Sequence, residues 1–301
     1  MLRNWDVQEV RDGAVVLHVR SAMPARELLQ QLLASKEQTR KVLARGGLRR
    51  QGVVLLGSDE LLPSDELELI LTAERQTTAS DAPVEVVYRD RLLMAVDKPA
   101  GILVHSDGTG ADTLTARVQA LLSRMGTTAT AQAVQRLDVG TSGLVLFSLT
   151  REFQPALDAQ VAGHDMRKRY LVVVESTSWP RDGELLRLDW PIGRDRHDAQ
   201  RMRVGRGGKP SVTLARALSR QHGRTLLQVE LQTGRRHQIR VHLAHAGYPI
   251  VGDTLYGGRR CGEGLMLHAW QERVVHPLTD ETIELETQWP ERFARMGFAR
   301  P

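Results

Sequence analysis

The stretch Gln135-Arg136-Leu137-Asp138-Val139-Gly140-Thr141-Ser142-Gly143-Leu144-Val145-Leu146-Phe147 places an acidic residue on a glycine-containing loop, two positions after an arginine and just before an apolar run. Loops that run into a rigid strand often carry active sites. A carboxylate kept ionised by nearby cations can act as nucleophile or base. An isolated Arg-x-Asp triplet is ordinarily a structural salt bridge, so Asp138 needs further support from the rest of the chain. Outward from it, residues 84–88 and 92–96 read as short strands split by Arg89-Asp90-Arg91, a hairpin. Further strands are expected at 143–148, 169–174, 214–218, 226–231 and 282–285, and helices at 114–125, 153–162 and 233–246. Strands outnumber helices without a strict strand–helix rhythm. The spacing therefore predicts an α+β domain over 83–301 built on a mixed, mainly antiparallel sheet.

The 301 residues carry 41 Lys+Arg against 36 Asp+Glu, a formal charge of +5, and 41% are hydrophobic. That composition belongs to folded chains and leaves room for a large domain with a small companion. No apolar stretch approaches the ~18 residues of a membrane helix, and Met1-Leu2-Arg3-Asn4-Trp5-Asp6 has no apolar signal core. A soluble, cytoplasmic protein without a membrane partner is expected, and a monomer. The lone Cys261 can form neither an internal disulfide nor a thiolate zinc site.

Charge is concentrated in two places. Between Lys36 and Arg50, six basic residues face Glu37 alone, and between Arg194 and Lys209 six more face Asp195 and Asp198. Either patch alone could be a solvated surface; together they make a polyanion partner plausible. The first patch lies in a unit expected over residues 1–80. Pro24 and Glu27 suit the first turn of a helix with an apolar stripe of Leu28, Leu29, Leu32 and Leu33. Ser35 and Gln38 suit a capping box for a second helix, which Gly46-Gly47 would stop. An alternating strand starts at Leu67, and residues 76–81 read as a linker.

Several blocks of this chain resemble a known family. Residues 135–144 resemble the signature His-Arg-Leu-Asp-x-x-Thr-Ser-Gly-Leu of the RluA-type pseudouridine synthases, with Gln135 where histidine is usual. Asp97-Lys98-Pro99-Ala100-Gly101-Ile102-Leu103-Val104-His105 resembles the block after the family's first hairpin, and Lys168-Arg169-Tyr170-Leu171 its Lys-x-Tyr block. Thr233-Gly234-Arg235-Arg236-His237-Gln238-Ile239-Arg240-Val241-His242-Leu243, then Gly247-Tyr248-Pro249-Ile250-Val251-Gly252-Asp253, resembles its most recognisable segment. Leu267-His268-Ala269 and His276-Pro277 close the set, all in the right order over residues 84–290. Residues 22–71 resemble, more loosely, the small RNA-binding domain named after a small-subunit ribosomal protein, with Gln51-Gly52 where Asn-Gly is usual.

The resemblance implies a pseudouridine synthase fold with a small N-terminal α/β RNA-binding domain, and an enzyme that isomerises uridine in structured RNA. Large-subunit ribosomal RNA is favoured, with transfer RNA as the other candidate. It implies Asp138 as the essential aspartate, Tyr170 as the tyrosine against the target base and Arg240 as the arginine paired with Asp138. Arg136, Thr141, Lys98, Lys168, Arg235 and His237 are expected to contact substrate, and Lys36, Arg40 and Lys41 to contact phosphates. Uridine isomerisation breaks N1–C1′ and forms C5–C1′ with no redox step, so no cofactor or metal is expected. Asp138 could attack C1′ or take a proton from C2′. The flipped nucleotide would leave a gap that Arg136 could fill. The competing possibility is a catalytically silent RNA-binding protein acting in ribosome assembly.

Three other patterns fail on spacing. His237, His242 and His245 lack the carboxylate and spacing of a zinc site. Ser142 lacks the Gly-x-Ser-x-Gly elbow of a hydrolase. Gly205-Arg206-Gly207-Gly208-Lys209 is followed by Pro210, which rules out a phosphate-binding loop and leaves an RNA-facing loop.

Overall fold

The computed structural model describes residues 3–72, 80, 82–175, 179 and 183–300. The first strands, β1 (Trp5–Arg11) and β2 (Ala14–Val19), form a hairpin whose turn is allowed by Gly13 at φ +80°. β3 (Met23–Pro24), α1 (Ala25–Leu33), α2 (Lys36–Ala44), β4 (Leu48–Arg50), β5 (Val53–Val54), β6 (Glu60–Leu61) and β7 (Glu66–Ile70) complete the N-terminal unit. Its main sheet runs β1-β2-β7-β4-β5, and β3 pairs with β6. The leucine stripe of α1 is buried as expected, and the Ser35 hydroxyl caps α2 by accepting the Gln38 N–H at 3.2 Å. The β1–β2 hairpin was not anticipated. β2 is buried along most of its length, so its side chains show no polar–apolar alternation.

The larger unit comprises β8 (Glu85–Arg89), β9 (Leu93–Lys98), α3 (Leu114–Arg124), β10 (Gln132–Ala133), β11 (Ser142–Ser148), α4 (Gln154–Gly163) and β12 (Arg167–Val174). These are followed by β13 (Leu186–Leu188), β14 (Ile192–Arg194), β15 (Met202–Val204), β16 (Thr213–Gln221), β17 (Arg224–Leu231), α5 (Gln238–His245), β18 (Leu267–Val275), β19 (Thr282–Glu286) and α6 (Glu291–Arg295). Ten strands form one mixed sheet, ordered β13-β16-β17-β12-β18-β11-β9-β8, with β10 added to β11 and β19 to β18. β11 and β18 run parallel, and the other pairs in this sheet are antiparallel. β11 is buried on both faces: Leu144 and Leu146 point into one core with Phe153 and Leu157, Val145 and Phe147 into another with Leu114 and Val118. No described helix is long and apolar enough to cross a membrane.

Two sequence expectations change. The helix expected over 233–246 begins only at Gln238, because that buried side chain holds the preceding residues as a loop. Its Oε1 accepts from the Thr233 hydroxyl and the Arg235 N–H, while its Nε2 donates to the Val212 carbonyl and Thr213. β18, read from sequence only as the closing block, is a nine-residue strand at the centre of the large sheet.

The core of the N-terminal unit is continuous with the larger one, running from Leu17 and Leu69 to Leu93, Leu146 and Leu285. Glu152 reinforces that contact from a fully buried position. It accepts from the N–H and hydroxyl of Thr72 and pairs with Arg45 at 2.9 Å. Arg45, one of the six basic residues of the first patch, is thus engaged from the α2 C-cap with buried Glu152. The linker expected over 76–81 lies outside the described residues apart from Ser80, which donates to Asp112 at 3.0 Å.

Candidate active site

Strand register brings the sequence blocks together. Lys98 on β9 lies opposite Gly143 on β11, Gly143 opposite Ala269 on β18, and Ala269 opposite Tyr170 on β12. This lateral row requires a glycine at 143, which sits at φ +111° where an added Cβ would lie 2.1 Å from the Ala269 carbonyl oxygen. Gly143→Ala is expected to cost more than about 4 kcal/mol and yield insoluble protein, as measured by soluble yield and thermal melting.

The row opens into a cleft of about 890 Å³ lined by Arg136, Asp138, Lys168, Tyr170, Arg235 and Arg240 among others. Asp138 occupies a turn closed by the Thr141 N–H donating to the Asp138 carbonyl at 3.0 Å. Thr141 is buried and holds the turn from inside. The next carbonyl, that of Val139, accepts from the Gly101 N–H at 2.7 Å and from Lys98 Nζ at 3.2 Å. Lys98 corrects an expectation. Its side chain is fully buried and also donates to the carbonyls of Pro99 and Ile102, so it anchors the Asp138 loop and offers nothing to substrate. Burial pulls its pKa down to about 8, although Asp138 works the other way.

Arg240 joins two carboxylates. It grips Asp253 in a two-pronged pair, Nε and Nη2 each at 2.8 Å, and reaches Asp138 Oδ2 with Nη1 at 3.2 Å. Burial opposes the guanidinium charge, yet Asp253 and Asp138 together push its pKa above the ordinary value. Arg240 also lies 5.0 Å from the Tyr256 ring centre, a cation–π contact. Asp253 is the functional residue that sequence reasoning missed. It stood in a quoted block, but nothing local shows that Arg240 needs a buried counter-charge.

His237 faces the same carboxylate, its Nε2 3.7 Å from Asp138 Oδ2. The Tyr256 hydroxyl accepts from the Met202 N–H and lies 2.8 Å from His237 Nδ1, in hydrogen-bond contact. Burial lowers the His237 pKa and so favours the neutral ring, although the Asp138 charge works the other way. Tyr170 is buried in the cleft wall. Burial, with the Asp138 charge adding to it, pushes its phenol well above the usual range, keeping it protonated.

The other expected residues divide by position. Arg136 is exposed at the cleft, while Lys168 and Arg235 are half-buried in its lining. Lys36, Arg40 and Lys41 are exposed on α2, outside the cleft, with Lys41 also pairing with Glu37 at 2.6 Å. The second basic patch forms the β14–β15 hairpin. It is tied to the site by Arg236 donating to the Ala199 and Gln200 carbonyls and by Arg201 over Tyr256.

The Ser142 hydroxyl does meet a histidine, His268 Nδ1, at 2.7 Å, but both residues are buried. Arg292 donates to Ser142, and His268 joins Ser142 through Nδ1 to Thr287 through Nε2, which completes a structural chain with no carboxylate. Burial and Arg292 hold the His268 pKa down at about 3. His242 is likewise neutral from burial, with both nitrogens occupied by Thr213 and the Trp190 carbonyl.

Taken together, a carboxylate fixed by an arginine, a protonated phenol and a cationic rim on a mixed sheet define an enzyme site for an anionic substrate. A family profile described as RNA pseudouridylate synthase matches residues 92–245. The uncharacterised RNA pseudouridine synthase YhcT of Bacillus subtilis is 36% identical over 214 residues, 69% of this chain and 69% of that protein. The ribosomal large subunit pseudouridine synthase D of Xanthomonas campestris is 34% identical over 277 residues, 82% of this chain and 81% of that one. Among solved structures, human RNA pseudouridylate synthase domain containing 1 has a TM-score of 0.57 at 26% identity, covering 71% of this chain and 87% of that one. Human RNA pseudouridylate synthase domain containing 4 shares the fold, with a TM-score of 0.58 at 22% identity over 72% of this chain and 94% of that one. This chain belongs to the RNA pseudouridine synthase family, whose reaction is an isomerisation of uridine in RNA.

Proposed function

We propose that this enzyme acts as a cytoplasmic monomer on large-subunit ribosomal RNA, with Asp138 as the carboxylate that drives the isomerisation. The observation that carries the proposal is the Asp138–Arg240–Asp253 arrangement at the cleft, in which Asp138 is partly exposed while its cationic partner is locked from behind. Arg240, with His237 alongside, holds the Asp138 carboxylate in place at the cleft. The carboxylate then attacks C1′ or removes the C2′ proton. Tyr170, protonated at rest, packs against the freed uracil while it turns and C5 replaces N1 on the sugar. Arg136 fills the space left by the flipped nucleotide, and Lys168 and Arg235 meet phosphates. The name of the Xanthomonas campestris relative supports the choice of RNA.

The test is a pseudouridine-specific chemical map of total RNA from cells with and without the gene, complemented by the intact protein or by Asp138→Asn. Discrete sites that disappear and return only with the intact protein support the proposal. A map that never changes refutes it.

The N-terminal unit is proposed as an RNA-binding domain using Lys36, Arg40 and Lys41. Neutralising all three is expected to lower the log–log salt slope of RNA binding by about 2 to 3, as each lost phosphate contact releases fewer counterions. Filter binding over a salt series measures it, and an unchanged slope rejects the assignment. Arg45→Ala should behave differently, lowering the melting temperature by leaving buried Glu152 without its cation while leaving that slope in place.

A further inference from the structure

Gln135, the position where the family signature departs from histidine, donates from Nε2 to Glu272 Oε2 at 2.6 Å. Glu272 lies on β18 at 3% exposure, opposite Lys168 on β12 and Leu285 on β19. Two further atoms of this pair, Gln135 Oε1 and Glu272 Oε1, are buried and have no hydrogen-bond partner. Both are acceptors if Glu272 is ionised, and two orphaned buried acceptors are costly. If the two orphan oxygens face each other across the pair, one proton on Glu272 satisfies both, because the acid then donates to the amide oxygen while the amide donates to the acid. Reversing the amide of Gln135 leads to the same requirement.

Resting on the proposed role of Asp138, we propose that Glu272 is held as a neutral carboxylic acid in a two-hydrogen-bond ring with Gln135, and that this pair positions the Asp138 loop over Tyr170. Gln135 precedes Asp138 by three residues on the same loop, and Glu272 follows Ala269, the partner of Tyr170, by three on β18. The ring thus ties the Asp138 loop to β18, the strand that pairs with the Tyr170-bearing β12. Burial favours the neutral acid, and Lys168, the charged side chain facing Glu272, does not reverse that preference. Ionisation would add a negative charge near Tyr170 and break the ring.

The experiment uses the full chain and an RNA transcript spanning a mapped site. In infrared difference spectra of the free protein at neutral pH, wild type minus Glu272→Gln is expected to show the carbonyl band of a neutral carboxylic acid. Gln135→Leu is expected to lower the single-turnover rate about tenfold or more while RNA affinity stays within about twofold, since small displacements of a reacting group cost rate. Glu272→Gln can form an amide–amide ring and is expected to retain more activity than Glu272→Leu. Glu272→Gln should also lose a decline in rate at rising pH that the wild type shows as Glu272 ionises. Any decline from Lys98 remains in both. Absence of the neutral-acid band overturns the ring. A band with an unchanged Gln135→Leu rate, or an unchanged pH profile in Glu272→Gln, overturns the positioning role. If Asp138→Asn proves fully active, the assignment of Asp138 fails and the positioning role with it, while the band still decides the ring.

Discussion

Replacing Asp138 with Asn is expected to reduce pseudouridine formation by at least about 10⁴-fold under single-turnover conditions, while RNA affinity changes less than about threefold. The size follows from the chemistry. Asn keeps the shape and can still accept the Arg240 hydrogen bond, but it supplies neither a nucleophilic oxyanion for C1′ nor a base for C2′. The fold should survive, because Arg240 remains locked on Asp253 and the turn is held by backbone contacts from Thr141, Gly101 and Lys98. Primer-extension detection of pseudouridine measures the rate, and titration of labelled RNA measures affinity. A variant that retains a tenth of wild-type activity would remove Asp138 from the reaction.

Arg240→Met carries the second large effect, and it acts on stability as well as rate. The substitution leaves the Asp253 carboxylate, at 1% side-chain exposure, without either of its two hydrogen bonds to Arg240. Removing one partner of a buried pair costs about 3–5 kcal/mol, far more than the modest worth of a surface salt bridge. Urea unfolding of wild type and variant measures the loss, and an unchanged stability would mean that the Arg240–Asp253 pair is not its source. Asp253→Asn should reduce the rate with a smaller loss of stability, because an amide can accept one guanidinium hydrogen bond.

Some of the site is legible in the sequence because chemistry constrains residue types within short segments. Asp138 in a glycine-containing turn, Tyr170 at the start of an apolar strand and Arg240 on a helix face each lie in a local block. The structure brings all three into one cleft. The capped α2, the leucine stripe of α1 and the β8–β9 hairpin are legible for a related reason, since periodicity and capping act over a few residues. Where the local signal fades, so does legibility. β2 is buried on both faces and shows no alternation, and Thr233 to His237 look helical until Gln238 takes up their polar groups.

What the sequence by itself determined was the inventory: an α+β chain, two basic patches, and the aspartate, tyrosine and arginine arranged in ordered blocks. Only the tertiary structure decided which of its charged side chains line the cleft or the surface and which hold the protein together. Lys98 and Lys168 are the same residue type in similar blocks, yet one is buried under three carbonyls and the other lines the cleft. Asp253 locks Arg240, Glu152 takes Arg45, and Glu272 meets Gln135 from 137 residues away. The physical reason is that a side chain's charge state and partners depend on its burial and on the groups covering it. Those are set by long-range strand pairing, which a local reading of residue types does not contain.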